Sequence, residues 1–299
     1  LMSDTQFKKQ LKDYVDSSSF IYPFAKSLYR KYCNIAGPFH SSPDFIIFGI
    51  SRSGTTSLFQ YLSKHPNIEP CAIKEPHYFD QYYDRGINWY KMNFPLRWQN
   101  FISRKIKNQK LITGEATGAY LLNPHAPKRI YDSNPNIKLI LLLRNPIDRA
   151  FSHYQRKLNN GTEKLSFEEA IEKENSRIDG EQEKMEQNDR YYSENFHTNS
   201  YLNTGLCASR LKRWLEYFPL KQILIIENED FLQNPQKIYD TTLNFLNLPN
   251  YKLPITKKFS KQKSSIHINP KTREKLVEYC KPFNEELYSI IGKRFDWEK

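Results

Sequence analysis

The chain has 299 residues, 38% of them hydrophobic and 14% aromatic, with 10 Gly and 17 Pro. That length and composition support a folded core and exclude a fibrous repeat or a disordered, low-complexity chain. Forty-five Lys and Arg against 33 Asp and Glu leave a formal charge of +12, which attracts polyanions, membrane surfaces or a strongly anionic small ligand.

Basic residues run along the whole chain rather than gathering in one tail, so no nucleic-acid partner is expected. No apolar stretch reaches the roughly 18–20 residues of a membrane helix, and no signal-peptide core follows Met2. A cytoplasmic protein is the expectation. Cys33, Cys71, Cys207 and Cys280 are far apart and form no C-x-x-C pair, which suits a reducing compartment and argues against zinc, with one disulfide left open.

In chain order, residues 5–32 alternate charged and apolar positions at helical spacing and predict one or two helices. A turn-rich stretch at 37–45 leads into the main domain. Short runs rich in Ile or Leu follow at 45–50, 111–113, 138–143 and 222–226, separated by helical patterns. Strands of that kind between helices predict an α/β fold, P-loop-like, with a central, mostly parallel sheet and helices on both faces. Residues 1–43 are expected to form a helical segment packed on a single domain spanning 44–299. The highly charged stretch 155–200 reads as a solvated surface helix, or else as a mobile helical excursion beside an acceptor site.

Ligands of parallel sheets bind beyond the carboxyl ends of the strands. At the end of the first run begins Gly49-Ile-Ser-Arg-Ser-Gly54-Thr55-Thr56, close to the G-x-x-x-x-G-K-[ST] phosphate loop but without its lysine. Ser51, Arg52, Ser53, Gly54, Thr55, Thr56 and Ser57 offer successive backbone N–H groups, hydroxyls and a guanidinium to an anion, at the N-terminus of a predicted helix. The third run ends in Arg144, where a metal-dependent nucleotide enzyme would carry a carboxylate, so no metal is expected. Arg144 and Ser152 are placed to converge on a second phosphate, while Asp148 and Arg149 are expected only to cap and decorate the helix between them.

Two anion sites, one after each of two strands, resemble the sulfotransferases that use 3′-phosphoadenosine 5′-phosphosulfate (PAPS), in the branch of the heparan sulfate enzymes and their bacterial relatives. The likeness runs in order through "KEPHYFD" at 74–80, "TGEATGAYL" at 113–121, "RNPIDRAFSHY" at 144–154, "YLNTGLCASRLKRWLEYFP" at 201–219 and "ENEDFLQNPQKIYDTTLNFLNLP" at 227–249, and on through the terminal helix pattern to Trp297. The resemblance implies that the first loop takes the 5′-phosphosulfate and that Arg144 and Ser152 take the 3′-phosphate. It implies Glu75 as catalytic base, with His77 and Asp80 supporting it or touching the acceptor. Many eukaryotic members carry a lysine in the first loop where this chain has Arg52, which keeps the charge but donates no proton at ordinary pH.

Lys261, Lys263 and Ser264 lie in a basic loop where relatives close over PAPS, Ser265 being an equal alternative. Glu115 and Thr117, directly after the second run, are expected to line the acceptor pocket, and His125 to be a surface or capping histidine. The implied activity is sulfonate transfer to a hydroxyl or amine by single displacement, with a small metabolite or natural product expected as acceptor and a saccharide as the alternative. A P-loop kinase and a non-catalytic polyanion binder are the remaining readings.

Overall fold

The computed structural model describes residues 22–99, 102, 110–253 and 267–298. Within them a five-stranded sheet has the order β2-β3-β1-β4-β5. The strands are β1 Phe45–Ile47, β2 Ile68–Pro70, β3 Ile112–Ala116, β4 Lys138–Leu143 and β5 Ile223–Glu227, and every pairing is parallel. All residues of β1 and β3 are buried, as are all but the first of β4. Successive strand side chains point to opposite faces, so complete burial means that both faces are covered. Helices provide the cover, giving the α/β architecture that the apolar runs predict.

The run at 138–143 coincides with β4, and that at 222–226 is displaced by one residue. β1 stops at Ile47, because the chain leaves the ladder there, although Phe48 and Ile50 remain fully buried. β3 continues to Ala116, beyond the predicted end, because Gly114 and Glu115 break its apolar pattern without breaking its pairing. β2 was not expected: it is a three-residue edge strand, paired only with β3 and ending in proline.

After β1 the chain builds β2 and β3 on one side, then crosses to β4 and β5 on the other. The reversal puts the crevice at the carboxyl end of β1, between β3 and β4.

The longer helices are α1 Tyr22–Ala36, α2 Thr55–Leu62, α3 Ala126–Ser133, α4 Pro146–Asn159, α5 Ala208–Leu215, α6 Pro235–Phe245 and α7 Pro270–Ile291. α1 overlaps the predicted N-terminal helix and runs on to the Gly37-Pro38 break, whereas residues 5–21 of that expectation lie outside the described residues. On α5, Trp214 is 1% exposed and stacks on Phe48 with ring centroids 3.9 Å apart, joining helix to sheet. A second apolar cluster joins α4 (Ile147, Ala150, Tyr154) to Phe167, Tyr201 and Leu276 of α7. The four cysteines are free and buried. Among the described residues no helix is long and apolar enough to cross a membrane.

The charged stretch is not one solvated helix. Beyond the end of α4 it folds into four short helices, Phe167–Glu172, Glu174–Ile178, Glu181–Gln187 and Glu194–Asn199. Three of its carboxylates are turned inward and saturated. Glu163 accepts from Arg177 Nη1 and Tyr201 Oη, each at 2.7 Å. Glu174 accepts from the backbone N–H groups of Leu202 and Asn203, each at 2.8 Å. Glu181 accepts from Lys184 Nζ at 2.8 Å, from Tyr191 Oη at 2.7 Å and from Ser193 Oγ. Buried carboxylates with several donors act as pins rather than as solubilising charge.

Glu174→Ala strips two backbone donors of their acceptor and should lower unfolding free energy by about 2–4 kcal/mol. Glu172→Ala, at an exposed position of the same stretch, should stay within about 0.5 kcal/mol. Urea denaturation of both variants checks this, and equal losses would contradict the pinning role.

Candidate active site

Beyond β1 the chain turns sharply through residues 51–54 before α2 begins. Arg52 has φ 73° and Gly54 has φ 90°, both left-handed. Such a conformation is natural for Gly54, which is the N-cap of α2, but unfavourable for Arg52 unless its surroundings hold it. They do. Arg144 Nη1, directly after β4, donates to the Arg52 carbonyl at 3.0 Å, and Asn228 Nδ2, directly after β5, donates to the Ser53 carbonyl at 3.0 Å. In a trans peptide the following N–H points away from the carbonyl, so fastening these two oxygens turns the N–H groups of Ser53 and Gly54 the opposite way. Gly118 closes in behind, where a Cβ would come within 2.4 Å of the Gly49 carbonyl oxygen.

Of the predicted donors, Ser51 and Thr56 are exposed, and Arg52, Gly54 and Ser57 are half-buried. Thr55 is buried, and Ser53 Oγ is buried without a hydrogen-bond partner.

The second constellation meets the first. Arg52 Nε donates to Ser152 Oγ at 3.0 Å, so Arg52, Arg144 and Ser152 form one cluster. Burial, then Arg156 and Arg144, pull the Arg52 pKa below its ordinary value. The cluster is cationic, with the Glu229 carboxylate close enough to Arg144 to feel its charge.

The flanking residues behave differently from expectation. Asn145, not Asp148, caps α4, accepting from Ile147 N at 2.9 Å and Asp148 N at 3.4 Å. Asp148 instead pairs with Arg273 of α7 at 2.8 Å. Arg149 is no surface decoration. It is fully buried and donates to the carbonyls of Ser200 at 3.3 Å and Tyr201 at 2.9 Å, because this part of α4 packs against the 200–205 segment.

The "KEPHYFD" segment supplies the acid–base groups. His77 Nδ1 lies 2.9 Å from Asp80 Oδ2, and His77 Nε2 lies 3.8 Å from Glu75 Oε2. His77 is not extended, with φ 51°, yet it reaches Glu75. Glu75 also pairs with Lys74, whose Nζ donates to Thr56 Oγ1 at 2.9 Å. One continuous line thus runs from the loop through Lys74, Glu75 and His77 to Asp80. Burial alone would raise the Glu75 pKa, but the neighbouring His77 and Lys74 cations outweigh it and hold it near 2. For His77, burial works against the charge, while Asp80 and Glu75 favour it and raise the pKa to about 10.

Thr117 directly follows β3 as expected, but Glu115 does not. Glu115 is within it, and both are fully buried. Glu115 accepts from Tyr90 Oη at 2.8 Å, Tyr120 Oη at 2.9 Å and Thr117 Oγ1 at 2.5 Å, and burial lifts its pKa to about 7. Tyr120 Oη also accepts from the Tyr78 N–H at 3.1 Å, so this cage props the "KEPHYFD" turn from behind.

His125 occupies the N-cap position of α3 without capping through its side chain, which instead meets the Met185 carbonyl at 2.8 Å. Lys261, Lys263 and Ser264, with Ser265, lie outside the described residues.

Sequence reasoning missed five contributors. Asn228 was legible as the first polar residue after β5, and Arg156 as one turn beyond Ser152. Lys74 came into view only as a surface partner of Glu75. Tyr192 and His197, stacked at 4.5 Å, belong to the charged stretch yet stand close to Asp80, and burial lowers the His197 pKa to about 4.

Comparison with known proteins agrees with this arrangement. A family model for the sulfotransferase domain matches residues 42–281. The membrane-associated sulfotransferase kil1 of Dictyostelium discoideum is 29% identical over 323 residues, covering 86% of this chain and 66% of its own length. Heparan sulfate glucosamine 3-O-sulfotransferase 5 of Mus musculus is 28% identical over 278 residues, covering 85% of this chain and 74% of its own. The crystal structure of a sulfotransferase from Alicyclobacillus acidocaldarius is 30% identical, with a TM-score of 0.65, covering 87% of this chain and all of that one. The chain belongs to the sulfotransferase domain family and is a transferase enzyme.

Proposed function

We propose that the protein transfers the sulfonate group of PAPS to a hydroxyl group of a saccharide by single displacement, with Glu75 as base. The observation that carries this is the line from Thr56 through Lys74 to Glu75, which puts a carboxylate one ammonium group away from a loop built for an anion. The saccharide takes the place of the small metabolite expected from the sequence, because relatives named for heparan sulfate glucosamine align over most of the chain.

The residues suit the donor. The loop N–H groups and Arg52 form a cradle for the 5′ side, and Arg144 with Ser152 a second for the 3′-phosphate that ordinary adenine nucleotides lack. When bound, PAPS supplies a sulfonate whose bond to the 5′-phosphate oxygen breaks as the acceptor oxygen bonds to sulfur, the bond pair leaving with 3′,5′-adenosine bisphosphate. Arg52 and the loop stabilise the negative charge left there, with Arg52 acting as a fixed charge. Glu75 takes the acceptor proton, and His77, oriented by Asp80, steadies the carboxylate. Tyr192 and His197 bring the charged stretch against the acceptor side.

The two carboxylates and the imidazolium depend on one another, with a definite sign. His77 is raised above its ordinary 6.5, so its stabilising contribution is complete below that pH and lost as pH rises through about 10. Glu75 is depressed below 4.5, so its contribution is complete above that value and lost as pH falls through about 2. Across the neutral range Glu75 and His77 both stay charged.

Glu75→Gln should lower turnover with PAPS and a glucosamine oligosaccharide by about a hundredfold or more, with bisphosphate affinity nearly unchanged. Arg144→Ala should do the reverse, weakening bisphosphate binding by about tenfold or more. Matching losses in both variants would contradict this division of labour. In a nuclear magnetic resonance titration the His77 ring should stay protonated between about pH 5.5 and 8.5, and a midpoint near its ordinary value would show that the Glu75–His77–Asp80 pairing does not form.

A further inference from the structure

The loop has no lysine of its own, yet an ammonium group stands at its helix end. Lys74 Nζ donates to Thr56 Oγ1 at 2.9 Å, in the first turn of α2, and meets the Glu75 carboxylate on its other side. The Lys74 side chain is 28% exposed and that of Glu75 42% exposed, so both open onto the site rather than into the core. An ion pair that open contributes little to stability, which leaves the placement without a structural purpose.

The pairing also makes Glu75 a weak base. A carboxylate held near pKa 2 by two cationic neighbours has little tendency to take a proton. His77 is tied to Asp80 and stays where it is. Lys74 is the neighbour free to move: its four-carbon stem is flexible, and its three N–H donors let it keep Thr56 while changing its other partner.

We propose that Lys74 is a donor-gated catalytic residue, which moves from Glu75 to a sulfonate oxygen beside Thr56 when the sulfonate donor is bound. The inference rests on the sulfonate-transfer reading above. In the resting protein Lys74 masks Glu75. With donor bound, its ammonium balances charge on the migrating group and releases Glu75 to accept the acceptor proton. An ammonium from a different segment thereby supplies the lysine that the loop sequence lacks, beside the fixed charge of Arg52, and the base is uncovered only when there is a sulfonate to transfer.

The test uses two ligands that differ by the sulfonate alone. The wild-type chain, Lys74→Met and Lys74→Arg are titrated by calorimetry with PAPS and with 3′,5′-adenosine bisphosphate, without acceptor. Lys74→Met should weaken PAPS by about tenfold or more and the bisphosphate by less than about twofold, and Lys74→Arg should restore most of the PAPS affinity. Lys74→Gln gives the same comparison through a polar, uncharged side chain if the methionine variant misfolds. Equal weakening of both ligands, or of neither, overturns the proposal and leaves the donor site standing. Wild-type protein that binds neither ligand overturns the sulfonate-donor reading and this inference with it.

Discussion

Arg52 sits near Arg144 and Arg156 at the carboxyl end of the sheet, where burial and then those two cations disfavour its charge, and the site is built around this cluster. Like charges stay together only where the scaffold gives them no escape or an anion balances them. Arg144 is fixed where β4 ends, and its guanidinium is engaged by the Arg52 carbonyl. Arg52 is fixed by its left-handed turn and by Ser152. On the proposed reading, this arrangement takes a ligand with two separated anionic groups.

The remainder of the fold keeps this geometry in place. The parallel sheet delivers the Arg52 loop, Arg144 and Asn228 to one crevice because β1, β4 and β5 are neighbours and all run the same way. Positions 149, 152 and 156 share one face of α4, which passes from buried Arg149 through half-buried Ser152 to exposed Arg156. Its inner end is gripped by the Ser200 and Tyr201 carbonyls, and the neighbouring backbone is in turn pinned by Glu174. Part of the chain's acidic charge is therefore spent inside, on Glu163, Glu174 and Glu181, while the excess of cations acts outward on anionic partners.

What the sequence shows and hides follows from range. β4 is a lysine followed by five apolar residues in a row and is legible at once, as is Arg144 just after its end. β2 is invisible because three residues ending in proline have no periodicity to detect, and its strand character comes wholly from pairing with β3. Arg149 resembles an exposed helix charge because its partners are backbone carbonyls some 50 positions away, which no local pattern reveals. The same holds for Lys74: adjacency to Glu75 suggests a local ion pair, and only the contact with Thr56, from another element, ties it to the anion loop. Glu115 shows the opposite error, since a carboxylate near a strand end suggests a pocket, whereas three hydroxyls make room for it in the core.

The most direct test of the account is calorimetric titration of the wild-type chain with 3′,5′-adenosine bisphosphate beside 5′-AMP and ATP, each with and without Mg²⁺. Two cradles for two separate phosphates predict that the bisphosphate binds at least about tenfold tighter than 5′-AMP and does so equally well without metal. Preference for ATP with Mg²⁺, or equal affinity for 5′-AMP and the bisphosphate, would contradict the role given to the Arg52, Arg144 and Ser152 cluster.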